Sequence, residues 1–201
     1  MQLQIVCIVE GHGECESVPI LIRRIANRFD PGLDVRIPHP IRIPRSKLLK
    51  PRELERAVQL AAARAQPGGG ILVILDSDDD CPATLAPDLL RRMRAARSDL
   101  PSAIVLANRE FESWFLAAAR SLRGQKGLPE DIESPERPEA IRGAKEWLSQ
   151  RMGTGAYSAS VDQASLTAVF DLEPARRAPS FDKCYREVIH LLETLRRRAE
   201  R

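Results

Sequence analysis

The 201-residue sequence predicts an α/β fold: a parallel sheet flanked by helices on both faces, with a mainly helical C-terminal extension. Three observations predict it. The apolar runs "LQIVCIV" at 3–9, "ILVIL" at 71–75 and "AIVLA" at 103–107 have the composition of strands buried on both faces. Segments with apolar residues at helical spacing separate these runs, and that alternation favours parallel pairing through crossover helices. After Leu122 the character changes to "RGQKGLPEDIESPERPE", rich in Pro, Gly and charge. The expected division is an α/β core over 1–122 and an extension over 123–201 that packs on the core rather than folding alone.

The elements follow in order. Residues 14–29 form a helix in which Val18, Leu21, Ile22, Ile25, Ala26 and Phe29 share a face; Pro19 is tolerable there only near the first turns. Residues 30–32 turn, and "VRIPHPIRI" at 35–43 carries Pro38 and Pro40, which suit an edge strand or an extended loop. A helix over 51–65 has Pro51 at its first position, and "QPGGG" ends it. Helices are also expected at 85–96, 109–122, 139–150, 162–169 and 181–198. The last is amphipathic through Val188, Leu191, Leu192 and Leu195 and should pack back on the sheet.

Composition narrows the function classes. Hydrophobic residues at 43% and charged residues at 29% are ordinary for a globular protein, and a net charge of +3 is too small to demonstrate a nucleic-acid partner. Cys7, Cys15, Cys81 and Cys184 form no CxxC pair, which argues against structural zinc. No apolar run reaches membrane-spanning length and no signal-peptide core is present, so the expected location is cytoplasmic, with reduced thiols.

The carboxyl ends of parallel strands share one edge of a sheet. Glu10 ends the first strand and Asp76 the second; Asp78 faces the same side as Asp76 if the backbone stays extended, and Glu14 opens the first helix. Close carboxylate pairs repel by about 1 to 4 kcal/mol between water and an intermediate dielectric. A hard divalent cation, Mg²⁺ or Mn²⁺, reverses that balance. Glu10, Asp76, Asp78 and Asp80 are therefore candidate metal ligands, and Gly11, His12 and Gly13 form the turn beside them.

Blander roles compete. Asp79 and Asp80 precede a helix and suit capping, Glu16 suits a solvated helix face, and His12 suits an exposed side chain. Glu110, nearest the third strand's end, is a further ligand or general base, or else a first-turn acid favoured by the helix dipole. Glu112 cannot share its face on a helix and is expected to pair with an arginine, while Trp114 and Phe115 are expected in the core. A dinucleotide GxGxxG fails at Glu16, and neither GxxxxGK[ST] nor GxSxG occurs.

"VEGHGE" and "LDSDDD" resemble the two signature motifs of the TOPRIM domain, shared by topoisomerases, primases, recombination proteins and nucleases of the OLD (overcoming lysogenization defect) type. The resemblance implies a TOPRIM/Rossmann-like sheet and maps the metal site onto Glu10, Asp76 and Asp78, with Gly11 in the turn. Glu14, four residues after Glu10, is similar to the OLD-type version. The order "EGxxE", "DxDDDCP", "ANREFESWF" and "SFDKCYREV" resembles a bacterial TOPRIM-like family of unassigned activity, some of whose members are associated with phage defence.

The expected function is Mg²⁺- or Mn²⁺-dependent phosphodiester hydrolysis on nucleic acid. Glu10, Glu14 and Glu110 would be catalytic, and Gly11, His12, Gly13, Arg45 and Lys47 would contact phosphate, with Arg42 and Lys50 in the same basic run. Tyr157 and Tyr185 lie far along the chain from the acidic loops, which favours hydrolysis over strand transfer. Two alternatives stand beside it. One is a catalytically silent or partner-dependent metal-binding module, with a protein partner such as an ATPase supplied in trans. The other is a small-molecule phosphohydrolase.

Overall fold

The structure, a computed structural model, describes residues 2–65, 68–153 and 155–200. Its centre is β1 (Gln2–Val9), buried from Leu3 onward, followed by α1 (His12–Phe29). Next come β2 (Asp34–Arg36) and β3 (Ile41–Arg42), both parallel to β1, one against its start and the other against its end. The segment read as edge strand or extended loop is thus one edge strand interrupted between those two pieces, where Pro38 and Pro40 have no N–H to donate. Then follow α2 (Arg45–Leu48), α3 (Glu53–Arg64), β4 (Gly70–Asp76), α4 (Pro82–Ala96) and β5 (Ser102–Ala107). The order β2-β1-β4-β5 is parallel throughout, so the strand ends emerge together on one edge.

Alternation of side chains across the strands divides the core. Leu3, Ile5, Cys7 and Val9 of β1 join Leu72, Ile74, Ala103 and Val105 in a cluster with α1. Val6, Ile8, Ile71, Val73, Leu75, Ile104 and Leu106 face the other way, against α3 and α4. Helices therefore cover both faces, as the continuous apolar runs require.

Several local expectations are corrected. Pro51 lies in a turn, and α3 opens after Arg52, which adopts φ 67°. Pro19 sits in the interior of α1 rather than its first turns; the helix continues because its buried face, from Val18 to Ala26, is held against the core. The expected helix over 109–122 is broken: Arg109 has φ 66°, α5 covers only Ser113–Ala117, and a 3-10 turn follows over Ala119–Leu122. The "QPGGG" break includes residues 66 and 67, which lie outside the described residues.

Beyond the α/β core the chain forms α6 (Ala144–Ser149), α7 (Ala159–Val169), α8 (Leu172–Ala175) and α9 (Pro179–Ala199). Leu148, Leu166, Phe170, Phe181, Val188 and Leu192 join the same buried cluster as β1 and α1. Phe111, Trp114, Phe115, Phe170 and Phe181 form a chain of rings with centroids 4.5 to 5.6 Å apart, mostly edge to face, so Trp114 and Phe115 are core residues. No helix among the described residues is long and apolar enough to cross a membrane.

Gly13 stands where α1 meets α7. A Cβ there would stand 2.2 Å from Gln163 Oε1 and 2.7 Å from the Ala159 carbonyl, so α1 and α7 meet only because the side chain is absent. Gly13→Ala is expected to lower unfolding stability by about 1 to 3 kcal/mol, since a backbone carbonyl cannot swing aside. Urea denaturation checks this; an unchanged midpoint would contradict the packing.

Candidate functional site

The chain leaves β1 toward one side of the sheet and leaves β4 toward the other, with α1 and α4 on opposite faces. The crevice between the carboxyl ends of β1 and β4 is therefore the topological switch point, where open α/β sheets bind ligands. Glu10 follows the last residue of β1, and Asp76 is the last residue of β4.

The structure brings five of the expected acids together, Glu10, Glu14, Asp76, Asp78 and Glu110, and adds Glu112. Burial pushes the Glu10 carboxyl up, repulsion from Asp78 and Glu14 adds to it, and the Arg45 backbone N–H and guanidinium pull it back. Its Oε2 is buried without a hydrogen-bond partner. Asp76 lies well above the usual carboxylate range, through burial first and then the charge of Glu112, with Glu14 and Glu10 contributing and Lys145 opposing. Its Oδ1 accepts the Phe111 N–H at 2.8 Å, which fixes its orientation.

Other sequence-based roles change. Asp78 has φ 50° rather than extended backbone, so it does not simply repeat the direction of Asp76; its Oδ2 lies 3.2 Å from Arg45 Nη1. Asp80 is paired with Arg45 Nη2, and Asp79 with Arg142 at 2.8 Å. Arg45 is thus an internal counter-ion, also donating to the Ser77 carbonyl at 3.2 Å, rather than a free phosphate contact. Lys47 is exposed and faces Glu53, while His12 is exposed at the start of α1.

The glycine turn also has a more local cause than phosphate. Glu14 Oε2 accepts the Gly11 N–H at 2.6 Å, and a Cβ on Gly11 would fall 2.5 Å from that oxygen. Gly11 and Glu14 cap α1, and Gly13 admits α7.

Glu110 and Glu112 are reassigned as well. The stretch before α5 is not helical, so both reach the same lysine: Lys145 Nζ lies 3.9 Å from Glu110 Oε1 and 3.6 Å from Glu112 Oε2, as well as 4.0 Å from Asp76 Oδ2. Glu110 Oε2 accepts the Ala144 N–H at 2.7 Å and so anchors the first turn of α6, which carries Lys145. Glu112 is fully buried, and among the described residues its ion pair is with Lys145 rather than an arginine. Its Oε1 accepts from the Tyr157 hydroxyl at 2.9 Å and from Gln163 Nε2 at 3.3 Å. Burial raises its pKa, against Lys145 and the Tyr157 hydroxyl. Burial works against the Lys145 ammonium, yet Glu112, Asp76 and Glu110 outweigh it and hold its pKa above the ordinary lysine value.

Sequence reasoning missed Lys145, Tyr157 and Gln163, all contributed by the extension, because nothing local marks them. Tyr157 corrects the view that no tyrosine approaches the acidic loops, but its phenol is pushed up by burial and by Glu112, so it stays protonated. Arg109 had a visible signal, its place two residues after the third apolar run. With Arg142, Asp78, Asp79 and Glu110 it lines an open cavity of about 170 Å³ beside the cluster.

The family model described as Domain of unknown function (DUF4276) matches residues 9–188. The chain belongs to this DUF4276 family. Comparison with curated proteins and with solved structures found no match. The DUF4276 match extends from the last residue of β1 into α9, so it includes every acidic and cationic residue of the strand-end cluster.

A carboxyl whose folded pKa exceeds its unfolded value contributes stability fully below about pH 4 and loses it as pH rises through the folded value. The raised Asp76 carboxyl therefore costs the metal-free protein stability as pH rises above the ordinary carboxylate range. Asp76→Asn, which keeps an acceptor for Phe111, is expected to unfold at a higher temperature than wild type at pH 7.5, the gap closing as pH falls toward 4. Thermal unfolding across that range, in chelator, checks the sign; a variant less stable at pH 7.5 would contradict it.

Proposed function

We propose that this DUF4276 protein is a TOPRIM-like, Mg²⁺- or Mn²⁺-dependent phosphodiester hydrolase acting on nucleic acid in the cytoplasm. The observation that carries the proposal is the excess of carboxylate at the switch point. Among the described residues, Glu10, Glu14, Asp76, Asp78, Glu110 and Glu112 outnumber the cations set among them, Lys145 and Arg45. Such an excess favours a cation, and an all-oxygen donor set suits a hard one.

The fit is one of donor chemistry. Glu10 Oε2 is a buried oxygen with no hydrogen-bond partner, as an unused ligand would be. Among the described residues no group of three or more His, Cys, Asp or Glu side chains already stands at metal-holding spacing. Glu10, Asp76 and Asp78 would hold the ion, which when bound would polarise a phosphoryl oxygen and stabilise developing charge. Glu10, whose pKa burial raises, would accept a proton from an attacking water through an oxygen not on the ion. Arg109 and Arg142 beside the cavity, with exposed Arg42 on β3, Lys47 on α2 and Lys50 just after it, suit a polyanionic backbone. The protonated, hydrogen-bonded Tyr157 favours hydrolysis over covalent strand transfer.

One observation favours a second reading, a metal-binding module that acts only with a partner such as an ATPase, including in phage defence. The carboxylates are engaged with Lys145 and Arg45, and among the described residues no three-ligand group is assembled. A partner or substrate would then have to rearrange them.

Chelator-treated protein incubated with supercoiled plasmid or single-stranded RNA tests both readings. The wild type should cleave only with added Mg²⁺ or Mn²⁺, and Asp76→Asn and Glu10→Gln should each lose more than about a hundredfold, beyond the usual effect of groups that merely support a ligand. No cleavage by wild type, with calorimetric Mn²⁺ binding lost in both variants, would favour the partner-dependent module. Cleavage untouched by either change would contradict the assigned site.

A further inference from the structure

Lys145 occupies an unusual position for a lysine. Its Nζ stands 3.6 to 4.0 Å from single oxygens of Glu112, Glu110 and Asp76, near all three yet beyond ordinary hydrogen-bond distance of any. Glu112 is fully buried, its Oε2 has no hydrogen-bond partner, and its nearest cation is this ammonium. Three carboxylates therefore share one positive charge.

The two ends of the lysine are held differently. Its backbone is fixed, since Glu110 Oε2 receives the N–H groups of Ala144 and Lys145 at 2.7 and 3.3 Å. Its side chain is 40% exposed, so the ammonium can move into solvent by rotamer change alone. Glu112, by contrast, is held by Tyr157 and Gln163 and has no route to water.

We propose that Lys145 fills a cation position formed by Asp76, Glu110 and Glu112, and that a divalent cation enters it by displacing the ammonium into solvent. This rests on the metal-dependent reading above and extends it to a position outside Glu10 and Asp78. The doubly charged ion would balance more of the carboxylate charge, drawing the oxygens in from their present distance to ligand distance. A lysine-filled position explains why no group of three acids stands at metal-holding spacing among the described residues. Lys145 is then a built-in counter-ion that preserves the fold between metal-binding events and sets how much metal is needed to load the site.

The test is calorimetric Mn²⁺ titration with thermal unfolding, in chelator and in Mn²⁺, for wild type, Lys145→Gln, Lys145→Arg and the double variant Lys145→Gln/Glu112→Gln. Lys145→Gln is expected to unfold earlier than wild type in chelator, to bind Mn²⁺ about tenfold or more tightly, and to regain its unfolding temperature when Mn²⁺ is added. Lys145→Arg should keep the weak affinity of wild type. The double variant, which removes the fully buried Glu112 charge together with the ammonium, should be more stable in chelator than Lys145→Gln and lose the tightened binding; it serves if Lys145→Gln alone does not fold. Unchanged or weaker Mn²⁺ binding by Lys145→Gln, with wild-type binding intact, would overturn the inference and leave the proposed function standing. Tight binding that survives in a Lys145→Gln/Glu10→Gln double variant would support a position separate from Glu10. Absence of Mn²⁺ binding in wild type and Lys145→Gln alike would overturn both.

Discussion

Glu10 and Asp76 leave the ends of adjacent parallel strands, and the register of the sheet gives them no freedom to move apart. Val9 lies level with Ile74, so one carboxylate departs from β1 as the other completes β4, in a crevice walled by buried aliphatic residues. Like charges held together at reduced dielectric oppose folding unless something balances them. Much of the surrounding structure has that office. Arg45 reaches in from α2 to Asp78 and Asp80, Lys145 from α6 to Asp76, Glu110 and Glu112, and Tyr157 and Gln163 direct hydrogens at Glu112.

Electrostatic balance also explains why the extension belongs to the site. α7 could pack on α1 through apolar contacts alone, yet it carries Gln163, whose carboxamide accepts from Ser17 at 3.1 Å and donates toward Glu14 and Glu112. Gly13 is the steric condition for that approach. The turn after β1 therefore answers to three demands at once: Gly11 lets Glu14 cap α1, Gly13 lets α7 close over it, and Glu10 faces the crevice. Fold and candidate site share the same few residues, so substitutions there should alter stability and metal response together.

The sheet was legible because burial on both faces leaves a plain mark, a run of β-branched and aliphatic residues with no polar alternation. The edge position of 35–43 was legible through Pro38 and Pro40, whose missing donors no central strand tolerates. Glu10 and Asp76 could be found because parallel strands bring their carboxyl ends to one edge whatever the rest of the chain does. Side-chain direction in the loops could not. Asp78 and Arg109 adopt left-handed backbone through a local exchange in which Asp78 donates its N–H to the Arg109 carbonyl at 3.2 Å and Arg109 to Ser77 Oγ at 2.8 Å. That pairing spans 31 residues of sequence and leaves no periodic trace. Lys145 and Tyr157 were invisible for the same reason: their roles depend on long-range packing of a short helix and a loop, not on a motif.

A crystal of the wild-type protein soaked in Mn²⁺ and measured at the manganese absorption edge tests the central claim most directly. An anomalous peak in the crevice between the ends of β1 and β4, in contact with oxygens of Glu10 and Asp76, is the predicted result. A fully loaded crystal with manganese only at exposed acids elsewhere, and the Arg45 and Lys145 contacts undisturbed, would contradict it: the strand-end carboxylates would then be a self-balanced structural network.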